Sequence, residues 1–172
     1  MRIRSMTRCA LMAALMALCA WLAVPVGSGA VTLQTLGVFL ALGLLGGGKG
    51  CLSILIYLGL GAVGLPVFTG FQGGIGTLLS PTGGFLWGFL IAGGLFRLAE
   101  KNLPLWINLM LCQLACYLCG GIWYYFAFGG GLWAVILSCV VPYLLPDALK
   151  IPLAILLIHK LRPQVKEGIV SH

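Results

Sequence analysis

Acidic charge is nearly missing from this chain. Its 172 residues include three carboxylates, Glu100, Asp147 and Glu167, against ten lysines and arginines. Charged residues of both signs make up only 8%. Soluble domains carry about 25%, so this composition does not build a water-facing surface. Long hydrophilic runs are missing too. The longest is the tail after His159, which leaves no room for a soluble domain or for an ATPase of the chain's own. No Gly-Lys-Ser/Thr follows any of its glycine runs, so there is no phosphate loop. Both histidines, His159 and His172, lie in or beside the tail. There is no HExxH and no Ser/His/Asp set at plausible depth, so an intramembrane enzyme is disfavoured.

What is present is apolar. The chain is 61% hydrophobic, the signature of an integral membrane protein, read here as a single membrane domain over residues 1–172. The formal charge of +7 does not point to nucleic acid. The basic residues punctuate the apolar segments instead of gathering on one surface, which makes them a topology signal. Of the seven cysteines, all but Cys9 sit inside apolar segments. Cys116-x-x-Cys119 has the spacing of a redox or metal motif. It lies mid-span with no second CxxC, so it reads as small apolar packing. No metal or cofactor is expected.

Charges and turn residues divide the chain into six apolar segments, roughly 9–26, 31–45, 51–65, 83–98, 103–128 and 132–158. Several have only ~15–18 residues, near the lower limit for ~30 Å of hydrocarbon. Short, glycine-rich spans suit a compact bundle whose irregular parts are shielded by protein. The last segment is too long for one perpendicular span, ~40 Å at ~1.5 Å per residue. Pro142 and Pro146 supply a break. Residues 132–143 then form a short helix or re-entrant piece, and the sixth span begins near Pro146. Asp147 falls in its first turn, where the helix dipole favours a carboxylate.

Lysine and arginine set the orientation. Arg2, Arg4, Arg8, Lys49, Arg97, Lys101, Lys160, Arg162 and Lys166 all fall on one side of a six-span arrangement. The opposite connections, 27–30, 66–82 and 129–131, contain none. This positive-inside pattern makes both termini cytoplasmic. The N-terminal run also has the look of a signal peptide, basic then apolar then small. An even span count favours keeping it as span one. A lipoprotein reading at Cys19 is weaker, because Leu18 stands where a small residue is needed.

Against this background Asp147 and Lys150 stand out. They interrupt the last apolar segment at i, i+3, one helix face. An ionised group in a membrane costs at least ~2.5–3.5 kcal/mol and is usually functional. The pair offers an acceptor and a donor at one point of an apolar wall, which suits a small polar ligand. The competing reading is a self-neutralising pair that locks two helices. The outer connection 66–82 is glycine-rich, too apolar for a solvated tether, and too long for an idle loop. It reads as a lid or wall of an outward-facing pocket, with a re-entrant packing element as the alternative. Gln34 and Thr35 add polar capacity at that depth. Outer-side aromatics such as Trp21, Trp87 and Trp123 fit an interfacial belt or a pocket wall equally. In span one, Ala10-x-x-x-Ala14 and Ala13-x-x-x-Ala17 make a smooth face that allows close helix approach, either to a partner or within the bundle.

These residues carry a specific resemblance. Val31-Thr32-Leu33-Gln34-Thr35-Leu36-Gly37, Gly61-Ala62-Val63-Gly64-Leu65-Pro66-Val67-Phe68, Ser80-Pro81-Thr82-Gly83-Gly84-Phe85 and Pro146-Asp147-Ala148-Leu149-Lys150 resemble, in this order, the biotin-specific S component (BioY type) of energy-coupling-factor (ECF) transporters. The match is strongest over 31–89 and 146–154 and weakest over 103–145. The resemblance implies a six-helix substrate-capturing subunit in the cell membrane, with biotin as substrate. It also implies a transmembrane coupling subunit and two ABC-type ATPases as partners. The expected ligand residues are Asp147, Lys150, Gln34, Gln72, Gly73, Gly74, Thr82, Gly83 and Trp123. The expected docking face is Ala10, Ala13, Ala14 and Ala17. An S component for another vitamin, or a stand-alone secondary transporter using Asp147 as a cation site, are the alternatives. The contribution of residues 129–143 is left open.

Overall fold

The computed structural model describes residues 3–26, 29–129 and 131–170. Arg2, Gly27, Ser28, Gly130 and His172, used in the reading above, lie outside the described residues. Eight α-helices are described: α1 (Ile3–Trp21), α2 (Gln34–Leu45), α3 (Gly47–Ala62), α4 (Ile75–Leu78), α5 (Gly83–Ala99), α6 (Leu105–Phe128), α7 (Leu132–Cys139) and α8 (Val141–Val170). Of these α1, α6 and α8 are long and apolar enough to cross a membrane, and α2, α3 and α5 are shorter apolar helices.

The centre of the bundle is α2. It is apolar all round, and its residues from Leu36 to Gly43 are buried. A helix without a polar face has to be surrounded. It packs against α1, α3 and α8, while α5 and α6 form the most extensive pair. That pair is also tied by polar contacts. Asn108 Nδ2 donates to Phe96 O at 3.1 Å, and Cys112 Sγ donates to Ala92 O at 3.3 Å. The outer surface of α1, α5, α6 and α8 carries large apolar side chains, among them Leu11, Ile91, Leu118 and Leu149. In water this would be an aggregation surface. Against lipid it needs no cover.

Three expectations are corrected. The connection after span one is not a bare turn. Ala23–Val26 (β1) pairs antiparallel with Gly29–Thr32 (β2), Val24 opposite Val31. The bundle therefore carries a two-stranded hairpin and is not purely α. Valine and threonine favour extended backbone, and α1 ends at Trp21 instead of running to residue 26. The loop 66–82 holds regular pieces, a 3-10 turn at Thr69–Phe71 and α4. Finally, the last helix starts at Val141, not near Pro146. The break falls at Val140, φ −121° and ψ −57°. Pro142 sits in the first turn, where its missing N–H costs nothing. Pro146, Pro152 and Pro163 are carried inside the helix, as membrane helices tolerate. Asp147 thus lies in the second turn, and the dipole at the helix start is not what stabilises it.

The two ends of the bundle differ. At one end Trp21, the hairpin and the 63–82 segment meet, since Trp21 Nε1 donates to Pro66 O at 2.9 Å. At the other end Cys9 Sγ approaches Lys49 O at 3.6 Å, Glu100 Oε2 accepts from Gly47 N–H at 2.7 Å, and Arg162 donates to Gly43 O at 3.3 Å. The start of α1 and the later part of α8 therefore share the end that carries the basic residues.

Candidate functional site

A cavity of about 310 Å³ opens at the hairpin end, at the small end of the ~300–1,000 Å³ usual for small-molecule sites. Its floor is polar and its walls are mixed. From α2 come Gln34 and Thr35, and from α6 Gln113, Cys116 and Tyr117. From α8 come Tyr143, Asp147 and Lys150, and from α5 Phe85, Leu86 and Phe89. The segment between α3 and α5 supplies Phe68, Thr69, Gly70, Gln72, Thr77 and Thr82, and the hairpin adds Ala30 and Thr32.

The least exposed of the cavity's buried polar residues is Asp147, at 4%. Four donors from three helices surround it. Lys150 Nζ reaches Oδ1 at 2.6 Å, as the i, i+3 spacing allows. Thr35 Oγ1 stands 3.4 Å from the same oxygen. Gln113 Nε2 and Tyr117 OH donate to Oδ2 at 2.7 and 2.6 Å. Gln113 and Tyr117 are i, i+4 and share one face of α6. A buried ion pair is tolerable only when its remaining lone pairs are satisfied, and here Gln113 and Tyr117 do that for Oδ2. Lys150 is equally buried, at 5% exposed. Together they form a buried, charged, hydrogen-bonding end to a cavity of mixed walls.

A second network holds the loop. Gln34 Nε2 donates to Tyr57 OH at 2.7 Å, and that hydroxyl donates to Val67 O at 3.1 Å. Thr69 Oγ1 is 3.4 Å from Gln34 Oε1. Phe68 is buried edge-on to Tyr57, ring centroids 5.5 Å apart, and its ring lies against Gly61. Indole donors fasten the rest. Trp21 binds Pro66 O, Trp87 binds Leu78 O at 3.3 Å, and Trp123 binds Ser80 O at 3.1 Å. Phe71 stacks on Trp21 at 5.0 Å. The segment is thus a wall anchored at several points.

The expected ligand residues fall into two groups. Asp147, Lys150, Gln34, Gln72 and Thr82 line the cavity together. Gly73, Gly74, Gly83 and Trp123 do not line it. They shape its wall. A Cβ on Gly73 would run into Leu65 O, and one on Gly83 would run into Leu78 O, so each allows the chain to fold back on itself. Gly74 N–H donates to Gly61 O at 2.6 Å. Trp123 reaches the wall through its bond to Ser80 O. The alanine face also divides. Ala13 and Ala17 are buried inside the bundle, whereas Ala10 and Ala14 are exposed. Residues at i, i+3 and i, i+4 along one stripe diverge by enough angle that only one edge can face outward. Gln113 and Tyr117 were not among the expected residues. Two polar side chains four apart in the middle of a span were the available signal.

The model of the BioY family matches residues 1–167. The chain is 39% identical over 162 residues to a probable biotin transporter BioY of Pyrococcus horikoshii, covering 94% of this chain and 98% of that protein. It is 41% identical over 127 residues to the biotin transporter BioY2 of Lactococcus lactis subsp. cremoris, 71% of this chain and 70% of the relative. A crystal structure at 2.1 Å of the S-component for biotin from an ECF-type ABC transporter superposes with a TM-score of 0.85. It has 27% sequence identity, and the match covers 94% of this chain and 92% of that one. A family match over nearly the whole length, with a fold shared at that level, establishes that the chain belongs to the BioY family.

Proposed function

We propose that this protein captures biotin at the outer face of the cell membrane, as the substrate-binding subunit of an ECF-type transporter. The observation that carries the reading is the charged end of the cavity. Asp147 and Lys150 present an acceptor and a donor side by side, at the base of walls made by Phe68, Phe85, Leu86 and Phe89. Biotin has matching parts: a cyclic urea with N–H donors and a carbonyl acceptor, a thioether ring, and a valerate chain ending in a carboxylate. The urea would meet the Asp147–Lys150 end, where charge-assisted hydrogen bonds are about twice as strong as neutral ones. The ring would lie on the apolar wall. Gln72, Thr77 and Thr82 would be placed for the polar tail. Trp123, Gly73, Gly74 and Gly83 would serve the site by fixing the loop.

On this reading α1, α2, α3, α5, α6 and α8 cross the bilayer as six spans of one domain over residues 1–172, with both termini cytoplasmic and the cavity facing outward. The positive-inside distribution supports it, and so does the common end shared by the start of α1 and the later part of α8. A transmembrane coupling subunit and two ABC-type ATPases would supply the energy, because the sequence contains no phosphate loop. The exposed edge of α1, Ala10 and Ala14, is the proposed docking stripe. Labelled-biotin uptake into vesicles, with and without the ATPase partners, tests this arrangement. ATP-dependent uptake that needs the partners supports it. Uptake by the purified chain alone, abolished by an uncoupler, would make Asp147 the cation site of a secondary transporter.

A further inference from the structure

Asp147 has one filled oxygen and one partly open one. A carboxylate oxygen offers about two lone-pair sites. Gln113 Nε2 at 2.7 Å and Tyr117 OH at 2.6 Å occupy those of Oδ2. On Oδ1 the Lys150 bond is short, 2.6 Å, but Thr35 Oγ1 stands off at 3.4 Å. That is beyond the ~2.5–3.0 Å normal for an O–H···O bond. The weakly held place on this carboxylate is therefore on Oδ1, beside the ammonium.

A second observation concerns Gln113. A carboxylate only accepts, so the amide must turn its NH₂ toward Asp147. Its Oε1 is then buried with no hydrogen-bond partner among the described residues. An orphaned buried acceptor is worse for a fold than an apolar side chain of the same shape. The residue is 7% exposed, and Oε1 itself presents almost no surface to solvent. Its bond to Asp147 is what the amide contributes in return.

We infer that Gln113 and Tyr117 are positioning residues of the ligand site: they fill Oδ2 of Asp147 and leave a single acceptor position, on Oδ1 next to Lys150, for one ligand N–H. The inference rests on the reading of the cavity as a biotin site. A ureido group has an N–H beside a C=O. Its N–H takes the place of the Thr35 hydroxyl on Oδ1. Its carbonyl oxygen accepts from Lys150 Nζ, which uses one of its three protons on Asp147. Neither Gln113 nor Tyr117 has to touch the ligand. Both act through the carboxylate, by holding its plane and keeping its second oxygen out of the cavity.

The test uses the purified full chain and three measurements. Titration calorimetry gives the affinity for biotin. Competition against labelled biotin gives the affinity for biotin methylated on both ureido nitrogens. Thermal unfolding without ligand reports on the fold. Gln113→Met and Tyr117→Phe should each weaken biotin binding by about tenfold, the worth of the one ligand N–H bond to the carboxylate that misalignment of Asp147 would forfeit. They should weaken the methylated analogue much less, so that the parent's preference for biotin shrinks by a similar factor. Gln113→Met removes an orphaned acceptor together with a donor, so ligand-free stability should change little. In an Asp147→Asn background both substitutions should lose most of their effect. Biotin binding equal to the parent's in both variants would overturn the inference. So would equal weakening of biotin and the analogue with a loss of thermal stability, which is the behaviour of a merely structural pair. Failure of the parent itself to bind biotin would instead sink the reading on which the inference rests.

Discussion

Trp123 Nε1 donates to the carbonyl oxygen of Ser80 at 3.1 Å, reaching from α6 to the loop that walls the cavity. The bond lies outside the cavity lining, so its removal separates loop anchoring from ligand contact. Trp123→Phe keeps most of the ring and deletes the donor. It should speed biotin dissociation by about three- to tenfold, the usual worth of a neutral hydrogen bond, with little change in helicity. Stopped-flow release of a fluorescent biotin analogue measures it. An unchanged off-rate would mean that the other indole anchors hold the loop without Trp123.

Asp147→Asn keeps the size and one acceptor but removes the charge. It should weaken biotin binding by roughly 1.5–3 kcal/mol, the range for a hydrogen bond to a charged group. That is about 10- to 150-fold in dissociation constant. The variant must elute as a monodisperse peak before calorimetry. A well-folded Asp147→Asn that binds like the parent would make the pair structural.

Lys150→Met leaves the carboxylate buried without its cation. Breaking a buried pair from one side costs ~3–5 kcal/mol, so this variant should lose thermal stability as well as affinity. Adding Asp147→Asn should restore part of the stability, because the stranded charge is gone. The double change should cost less than the sum of the singles. Additive losses in thermal unfolding would show that the two residues are not coupled.

The split of the alanine stripe gives opposite expectations for neighbouring positions. Ala14→Leu, on the exposed edge, should leave biotin binding intact and reduce copurification with the coupling subunit, since bulk separates close-packed helices. Ala13→Leu should instead destabilise the fold by ~1–3 kcal/mol through overpacking, because Ala13 is 1% exposed. Pull-down and thermal unfolding on both variants distinguish them. Loss of biotin binding with normal assembly in Ala14→Leu would remove α1 from the docking face.

What the sequence made legible was the rare and the punctuated. An aspartate three residues from a lysine inside an apolar segment is costly enough to mark a site, and the two meet at 2.6 Å. Charges and turn residues put the start of the fourth segment at 83, where α5 begins, and of the fifth at 103, beside the start of α6 at Leu105. The hairpin was not legible. Ala23–Val26 is a short apolar run, and periodicity cannot tell such a run from the end of a helix. The start of α8 was misplaced because Pro142 and Pro146 both satisfy the rule for a first helical turn, and only packing chooses between them. Gln113 and Tyr117 went unassigned because a neutral polar residue in a span is less costly, and so less conspicuous, than a charged one. Their importance comes from α8 placing Asp147 against them, which is a tertiary fact.

The central claim is that the chain by itself holds the complete biotin site. Isothermal titration of the purified protein in detergent, without nucleotide or partner subunits, tests it most directly. Saturable binding of one biotin per chain is expected, abolished or strongly weakened in Asp147→Asn. No binding of biotin by the monodisperse parent, or tighter binding of thiamine or riboflavin, would contradict it.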